Sequence, residues 1–298
     1  MTGVTARQTA PFVEGLHFGE CPRWHEGRLW YADFYQSAVM SADESGAVRV
    51  EVEVPGEPAG LGWLPDGRLL VVTRKPRTVV RVEPDGELVE HGDLKPIATF
   101  YGNDMVVDRN GRAYVGNFGF DLDRFIDEQG LGALVESPGA PGTPLIRVDI
   151  DGSAHAATDQ LAFPNGSVIT ADSKTLIVAE SLAGQLTAFD IAADGSLSGR
   201  RVWASLTWCA PDGICLDAQG RVWVANAITA ECLLVEEGGD IVDRVATSQT
   251  CFACMLGGSD RRTLYVMTAP TNNEATVSST RQGRIEQIRV AVGGAGLP

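Results

Sequence analysis

A hairpin pattern that recurs six times is the feature that most constrains the fold of this chain. Each copy has an apolar strand-like run, a short polar turn containing Asp or Gly, and a second apolar run, which is typical of a β-hairpin. One clear copy, at 103–117, reads NDMVVDRNGRAYVGN. The six copies span 20–33, 59–73, 103–117, 165–180, 212–226 and 253–268.

The spacing of the copies indicates the architecture. One or two further strand-like runs lie between copies, for example LIRVDI at 145–150 and LTAFDI at 186–191, so each repeat has about four strands. The copies start 39 to 47 residues apart, except for one step of 62 residues. This is the repeat length of a propeller blade. We therefore predict an all-β fold, a six-bladed β-propeller with a central metal-binding channel.

The remaining segments are assigned by the same repeat. The whole chain, 1–298, is predicted to be a single propeller domain, with 1–11 as a flexible N-terminus. Residues 12–18 and 283–292 have the pattern of strands that complete the last blade and close the ring. The long step contains 120–144, which is predicted to be an inserted loop or a lid over one face.

The first residue of each copy should lie beside the central axis, because rotation relates the blades. Four of these residues carry oxygen donors and two are small. In chain order they are Glu20, Ala59, Asn103, Asn165, Asp212 and Ala253. Asn and Asp are poor strand residues, and buried amides are costly without partners. A position that repeatedly places such residues at a strand start therefore needs a reason.

Two carboxylates and two amides that converge on one axis suit a divalent cation. The donors are all oxygen, which favours one Ca²⁺, with Zn²⁺, Mn²⁺ or Mg²⁺ as alternatives. We predict Glu20, Asn103, Asn165 and Asp212 as metal ligands, with Asp104 orienting Asn103 and the two alanines leaving space on one side. The alternative is turn chemistry, since Asn-Gly and Asp-Gly are common turn dipeptides. That alternative does not account for Glu20 and Asn103, which no glycine follows.

The composition excludes several kinds of partner. The formal net charge is −15, which disfavours nucleic acids and anionic membranes. No apolar run is long enough to span a membrane, and the first residues do not resemble a signal peptide, so we expect a cytoplasmic protein. Its six cysteines then stay reduced, and buried free thiols are expected. The predicted partner is a small-molecule substrate, and the protein is expected to be a monomer or a small homo-oligomer.

Four motifs together resemble the regucalcin/gluconolactonase family of six-bladed propellers, over about residues 14–290. They are GECPRW at 19–24, NDMVVDRNGR at 103–112, FPNGSVITADSKTLIVAES at 163–181 and PDGICLDAQGRVWVA at 211–225. The resemblance implies one metal ion in the channel, held by Glu20, Asn165 and Asp212, with Asn103 touching metal or substrate. It also implies lactone hydrolysis supported by calcium, zinc or manganese. A related branch hydrolyses organophosphates with the same four residue types.

One departure from the family concerns the substrate. Sugar-lactone members of the family carry an arginine two positions before the Asn-Asp pair, where this chain has Tyr101. A substrate less polar than a sugar lactone is therefore expected. Candidate substrate-binding residues flank the ring: Tyr101, Asn103, Phe120, Phe163, Trp208 and Cys209.

The predicted activity is metal-dependent lactone hydrolysis. Asp212 is the candidate catalytic residue, as a base that activates water or as a nucleophile, and Asn103 is expected to assist. One alternative is hydrolysis of phosphotriesters or aryl esters, or an isomerisation, on the same metal platform. Another is a calcium-binding propeller without catalysis.

Overall fold

The structure is a computed structural model that describes residues 7–136 and 139–297. Two strands precede the first repeat, β1 (Arg7–Gln8) and β2 (Ala10–Leu16). The flexible N-terminus expected for 1–11 is therefore wrong for residues 7–11, most of which lie in strands, while residues 1–6 lie outside the described part. No helix in the described ranges combines the length and the apolar character needed to cross a membrane.

The prediction of a six-bladed β-propeller is confirmed. Each of the first two blades is a four-stranded antiparallel sheet of consecutive strands. Blade 1 contains β3 (Gly19–His25), β4 (Arg28–Asp33), β5 (Ala38–Ala42) and β6 (Val48–Glu53). Blade 2 contains β7 (Pro58–Trp63), β8 (Leu69–Thr73), β9 (Thr78–Val82) and β10 (Leu88–Asp93).

The third and fourth blades follow the same plan. Blade 3 contains β11 (Gly102–Val107), β12 (Ala113–Asn117), β13 (Ile146–Val148) and β14 (Ala154–Ala156). The segment between β12 and β13 holds helix α1 (Leu122–Gln129) and a 3₁₀ turn (Leu131–Leu134), so the predicted insertion has helical structure. Blade 4 contains β15 (Pro164–Ile169), β16 (Thr175–Glu180), β17 (Gln185–Ile191) and β18 (Leu197–Ser205).

The last two blades recruit the N-terminal strands. Blade 5 contains β19 (Pro211–Leu216), β20 (Val222–Asn226), β21 (Glu231–Val235) and β22 (Ile241–Ala246), and β1 pairs with β22. Blade 6 contains β23 (Thr250–Gly257), β24 (Thr263–Ala269) and β25 (Gly283–Arg289), with α2 (Glu274–Val277) before the third of these. Its outermost strand is β2, which pairs with β25. The predicted closure of the ring by the chain's two ends is therefore confirmed.

The hairpin turns of blades 3 and 5 show why the repeat is recognisable in the sequence. In blade 3, the Oδ1 atom of Asp108 accepts hydrogen bonds from the backbone N–H groups of Asn110 and Arg112, and its other oxygen pairs with the Arg112 side chain at 2.7 Å. Gly111 has φ +83°, a conformation that favours glycine. Blade 5 repeats these contacts between Asp217 and Arg221. The Asp-x-x-Gly-Arg pattern is thus a turn with a built-in ion pair.

The core lies between neighbouring blades, where apolar side chains of adjacent sheets interlock. The innermost strand of each blade contacts those of the next and previous blades around the whole ring. Large side chains such as Tyr31, Tyr114, Trp223 and Tyr265 are fully buried there. All six cysteines are buried and free, as expected.

Candidate metal centre

A β-bulge at the start of the innermost strand positions the residues of the predicted ring. In blade 3 the pairing of β11 with β12 jumps from Gly102 to Met105, so Asn103 and Asp104 fall in the irregular step. Equivalent jumps occur in blades 2, 4 and 5, while in blade 1 the jump begins directly after Glu20. A bulge bends the strand and re-aims a side chain. Local backbone geometry therefore places one residue per blade at the channel.

The strand positions of the two glycine-containing motifs test the alternative of turn chemistry. Asn165-Gly166 and Asp212-Gly213 lie inside β15 and β19, not in turns. A Cβ on Gly166 would lie 2.6 Å from the backbone oxygen of Asp212, and one on Gly213 would lie 2.5 Å from the Cβ of Ala253. Glycine is needed here because neighbouring inner strands approach closely, so the turn alternative is wrong.

The ring position predicted for blade 6 is wrong by one residue. Cys251 pairs with Thr268 and Ala253 with Met267, which leaves Phe252 at the bulge that Asp212 occupies in blade 5. The Phe252 ring packs against Phe18 with centroids 4.9 Å apart. The space expected beside the two alanines is therefore closed on this side by an aromatic ring. The blade 6 hairpin is longer than that of blade 5, so counting back from its turn gives the wrong residue.

The four predicted oxygen donors line one cavity of about 710 Å³. Glu20, Asn103 and Asn165 are buried and Asp212 is partly buried by its overall exposure. Within the described residues, no three His, Cys, Asp or Glu side chains form a group that could hold a metal ion. Half of the donor set here consists of amides, so the four side chains would bind a cation as two carboxylates and two amide oxygens.

The two carboxylates of the cavity share an unfavourable environment. Burial raises the pKa of Glu20 to about 8, and the charge of Asp104 adds to the rise, while Arg74 and Arg23 oppose it. Burial also raises the pKa of Asp212 well above its usual value, followed by the charges of Glu20 and Asp104. Burial and mutual repulsion thus outweigh the effect of the two arginines and disfavour the ionised form of both carboxyl groups, and the charge of a divalent cation would offset this cost.

Hydrogen bonds around the ring orient two of its donors. The Ser181 hydroxyl donates to the carbonyl of Pro211 at 2.7 Å, so its lone pair is free to accept an N–H from the Asn165 amide at 3.3 Å. This contact fixes which end of the amide is nitrogen. The backbone N–H of Cys21 donates to Oε2 of Glu20 at 3.0 Å. The donor set thus fits a hard divalent cation of the calcium type.

Asp104 has a structural role that differs from the predicted one. Its Oδ1 atom accepts a hydrogen bond from the Arg23 guanidinium at 2.6 Å and one from the backbone N–H of Met105 at 2.8 Å. Arg23 also donates to the carbonyls of Leu61 and Pro22, at 3.0 and 2.7 Å. Asp104 therefore joins blades 1, 2 and 3 through a buried ion pair, and its hydrogen bonds do not orient Asn103.

Aromatic side chains form much of the cavity wall. Of the predicted substrate-binding residues, Tyr101, Asn103 and Phe163 line the cavity. Phe120 lies behind them and packs edge-on against Phe163, with centroids 6.3 Å apart. Trp208 does not line the cavity; it is 45% exposed and stacks under Arg244.

The sequence analysis missed some of the lining residues. Cys209, which it proposed, is buried away from the cavity lining, while Phe34, Arg74 and Phe118 line it. These three follow the second strand of blades 1, 2 and 3. The signal that could have found them is the residue after each repeat, which is rotationally equivalent from blade to blade.

The insertion in blade 3 forms part of the cavity wall. Its residues Leu122, Ile126, Leu131 and Leu134 line the cavity, together with the acidic side chains of 121–127. Helix α1 begins at a capped end, where the Asp121 side chain accepts a hydrogen bond from the N–H of Arg124 at 3.1 Å. The segment thus borders the site, and its role as a lid or as an inserted loop stays a prediction.

Comparisons with known proteins agree with this architecture. A 6-deoxy-6-sulfogluconolactonase of Pseudomonas putida is 24% identical over 266 residues, covering 86% of this chain and 85% of that protein. Regucalcin of Xenopus laevis is 26% identical over 265 residues, covering 86% and 84%. The structure of a calcium-binding protein, regucalcin, from Agrobacterium tumefaciens superposes with a TM-score of 0.79 at 17% identity, covering 99% of both chains. Residues 18–270 match the family described as "SMP-30/Gluconolactonase/LRE-like region", and the chain belongs to this family.

Proposed function

We propose that the protein is a divalent-metal-dependent lactonase that opens a small lactone ring by attack of water. The observation that supports this most is the convergence of two buried carboxylates and two amides on one cavity of substrate size. One relative is named a sulfogluconolactonase and another is described as a calcium-binding protein, regucalcin, which supports the same class of activity and cofactor.

The proposed ligands are Glu20, Asn103, Asn165 and Asp212, and Ca²⁺ is the proposed ion. When bound, a divalent cation supplies Lewis acidity that polarises an ester carbonyl. Its charge also offsets that of the two carboxylates, which removes the cost of ionising both in a buried site. The aromatic wall formed by Tyr101, Phe118 and Phe163 limits the water that reaches the acyl group.

Asp212 has the proposed role of general base. Its carboxylate takes a proton from water as the water oxygen adds to the acyl carbon. The ring C–O bond then breaks, and the proton passes to the leaving alkoxide, which leaves a hydroxy acid. The Asn103 amide is proposed to hold a substrate oxygen during addition. Direct attack by Asp212 would instead form an anhydride with the acyl group, which water then hydrolyses.

Metal content tests the proposed metal site independently of the substrate. Elemental analysis of the purified protein should find about one divalent ion per chain, and Glu20→Gln should lose it. Asp190→Asn is a matched control, because it removes a carboxylate from an exposed ion pair with Arg201. A wild-type protein that is purified without metal and binds no added Ca²⁺ would refute the proposed metal site.

Turnover of a substrate panel tests the reaction. γ- and δ-lactones should be hydrolysed in the presence of Ca²⁺ and not after treatment with EDTA, and Asp212→Ala should abolish turnover. Full activity of Asp212→Ala with normal metal content would remove Asp212 from the mechanism. Phosphotriesters and aryl esters form the second arm of the panel, and preference for them would replace the lactone assignment. Metal binding without turnover of either class would favour a calcium-binding propeller.

A further inference from the structure

A second ring of residues lies next to the proposed metal ligands. It consists of the residue that follows each of the six hairpin copies in the sequence, which comes directly after the second strand in blades 1 to 5 and is the last residue of that strand in blade 6. Its members are Phe34, Arg74, Phe118, Ser181, Ala227 and Ala269. In blades 1 to 5 the backbone N–H of this residue donates a hydrogen bond of 2.9 to 3.2 Å to a backbone carbonyl of the same blade. The carbonyl belongs to the residue two positions before the first residue of the hairpin copy. The five residues that donate these hydrogen bonds all line the cavity.

Blade 2 differs from its neighbours at these two positions. In blades 1 and 3 the pair is aromatic, Phe18 with Phe34 and Tyr101 with Phe118. In blade 2 it is an ion pair, in which Nη1 of Arg74 donates to Oε2 of Glu57 at 2.7 Å. The second ring therefore carries one positive charge.

The guanidinium of Arg74 is held in a nearly fixed orientation by aromatic rings. Its central carbon lies 4.4 Å from the ring centroid of Phe34, 5.2 Å from that of Tyr101 and 5.4 Å from that of Phe118. The carbonyl of Arg74 accepts a hydrogen bond from the N–H of Gly102 at 3.1 Å, which ties it to the strand that carries Asn103. Its charge also acts on Glu20, whose pKa it lowers against the larger effect of burial.

The hydrogen bonds of Arg74 are incomplete. The residue is 6% exposed, and its Nε atom is buried without a partner among the described residues. Glu57, which pairs with Arg74, also binds the ammonium of Lys75 at 2.5 Å. A buried charged group with unused donors is costly, and an acceptor supplied by a ligand removes that cost.

We propose that Arg74 is a substrate-binding residue that selects lactones whose ring carries an oxygen substituent, either a hydroxyl or an anionic group. The inference rests on the proposed lactonase function and names its substrate class. It also changes the expectation drawn from Tyr101. Position 101 carries a tyrosine instead of an arginine, but the guanidinium of Arg74 in the neighbouring blade lies over the face of the Tyr101 ring. The substrate is therefore more polar than the tyrosine alone indicated.

The test compares the substrate preferences of Arg74→Met and the wild type. The measured quantity is kcat/KM for glucono-δ-lactone, or for a sulfonate-bearing lactone, divided by kcat/KM for unsubstituted δ-valerolactone. Arg74→Met should lower one of these ratios by about 10- to 100-fold, mainly through KM, because a hydrogen bond to a charged group is lost. The ratio that falls identifies the acceptor as a hydroxyl or as an anion.

Two further variants separate direct contact from charge and from misfolding. Lys75→Met removes a cation from the same Glu57 but lies outside the cavity lining, and it should leave both ratios unchanged. Arg74→Lys keeps the charge without the planar fork, and it carries the test if Arg74→Met does not fold. The proposal would be overturned if folded Arg74 variants had the same kcat/KM ratios as the wild type. It would also be overturned if Lys75→Met lowered a ratio as much as Arg74→Met does.

Binding of the matching lactams, which resist hydrolysis, separates this proposal from the proposed function. Calorimetry should show that Arg74→Met weakens binding of gluconolactam, or of the sulfonate-bearing lactam if that is the ratio that falls, and leaves binding of 2-piperidone unchanged. If the wild type hydrolyses no lactone but keeps this difference, the lactonase function fails and the role of Arg74 stands. If the wild type hydrolyses lactones and the lactams bind equally to both proteins, the role of Arg74 fails.

Discussion

Replacement of Gly166 by alanine tests the link between strand packing and the metal centre. The added Cβ would lie 2.6 Å from the backbone oxygen of Asp212 and 2.7 Å from the backbone nitrogen of Ile214. Both contacts are with backbone atoms, so no flexible side chain can give way. Relief needs β15 and β19 to separate by roughly 0.5–1 Å, and overpacking of this kind costs about 1–3 kcal/mol. The same shift moves Asn165 away from Asp212.

Thermal unfolding and calcium titration measure the two consequences of Gly166→Ala. The melting temperature should fall by roughly 2–10 °C, since 1 kcal/mol corresponds to about 2–4 °C in a chain of this size class. Calcium affinity should fall by about tenfold or more, because a ligand pair has been displaced. Gly132→Ala is the control, because its new Cβ meets only the flexible side chain of Glu136. If Gly166→Ala matched this control in both measurements, close strand approach would not be what requires glycine.

Three further outcomes follow from particular contacts. Arg23→Met should lower the free energy of unfolding by about 3–5 kcal/mol in urea titrations, because it leaves the buried charge of Asp104 unpaired. Arg201→Met, at an exposed ion pair, should lower it by less than about 1 kcal/mol. Similar losses in the two variants would contradict this reasoning. Calcium at about 100 times its dissociation constant should stabilise the wild type by about 2.7 kcal/mol, and Glu20→Gln should show little of this gain in calorimetry. Burial, followed by the charge of Arg81, lowers the pKa of His91, so the unfolded state binds the proton more readily than the folded state. The free energy of unfolding should therefore fall as the pH drops below about 6.5, and His91→Gln should reduce this fall. A urea midpoint that stays level between pH 7.5 and 5.5 would contradict the prediction.

The four proposed metal ligands could be identified from the sequence because rotation makes repeat positions equivalent. Asn103, Asn165 and Asp212 stand at the same place in their hairpins, and the hairpins have nearly the same length. The method failed in blade 6, where a longer hairpin shifts the count and Phe252 takes the position given to Ala253. It also failed for Trp208, since an aromatic residue near the ring in sequence can lie on the surface.

The sequence by itself determined the number of blades, the closure of the ring and the four oxygen-bearing strand-start residues that line one cavity. These depend on local patterns, namely apolar alternation, Asp-Gly turns and a repeat length, which short stretches of chain encode. Only the tertiary structure decided that Arg74, Phe34 and Phe118 share the cavity with the proposed metal ligands, that Asp104 pairs with Arg23, and that helix α1 borders the cavity. Those contacts join residues of different blades, and their geometry depends on how closely the sheets pack around the axis, which no local pattern specifies.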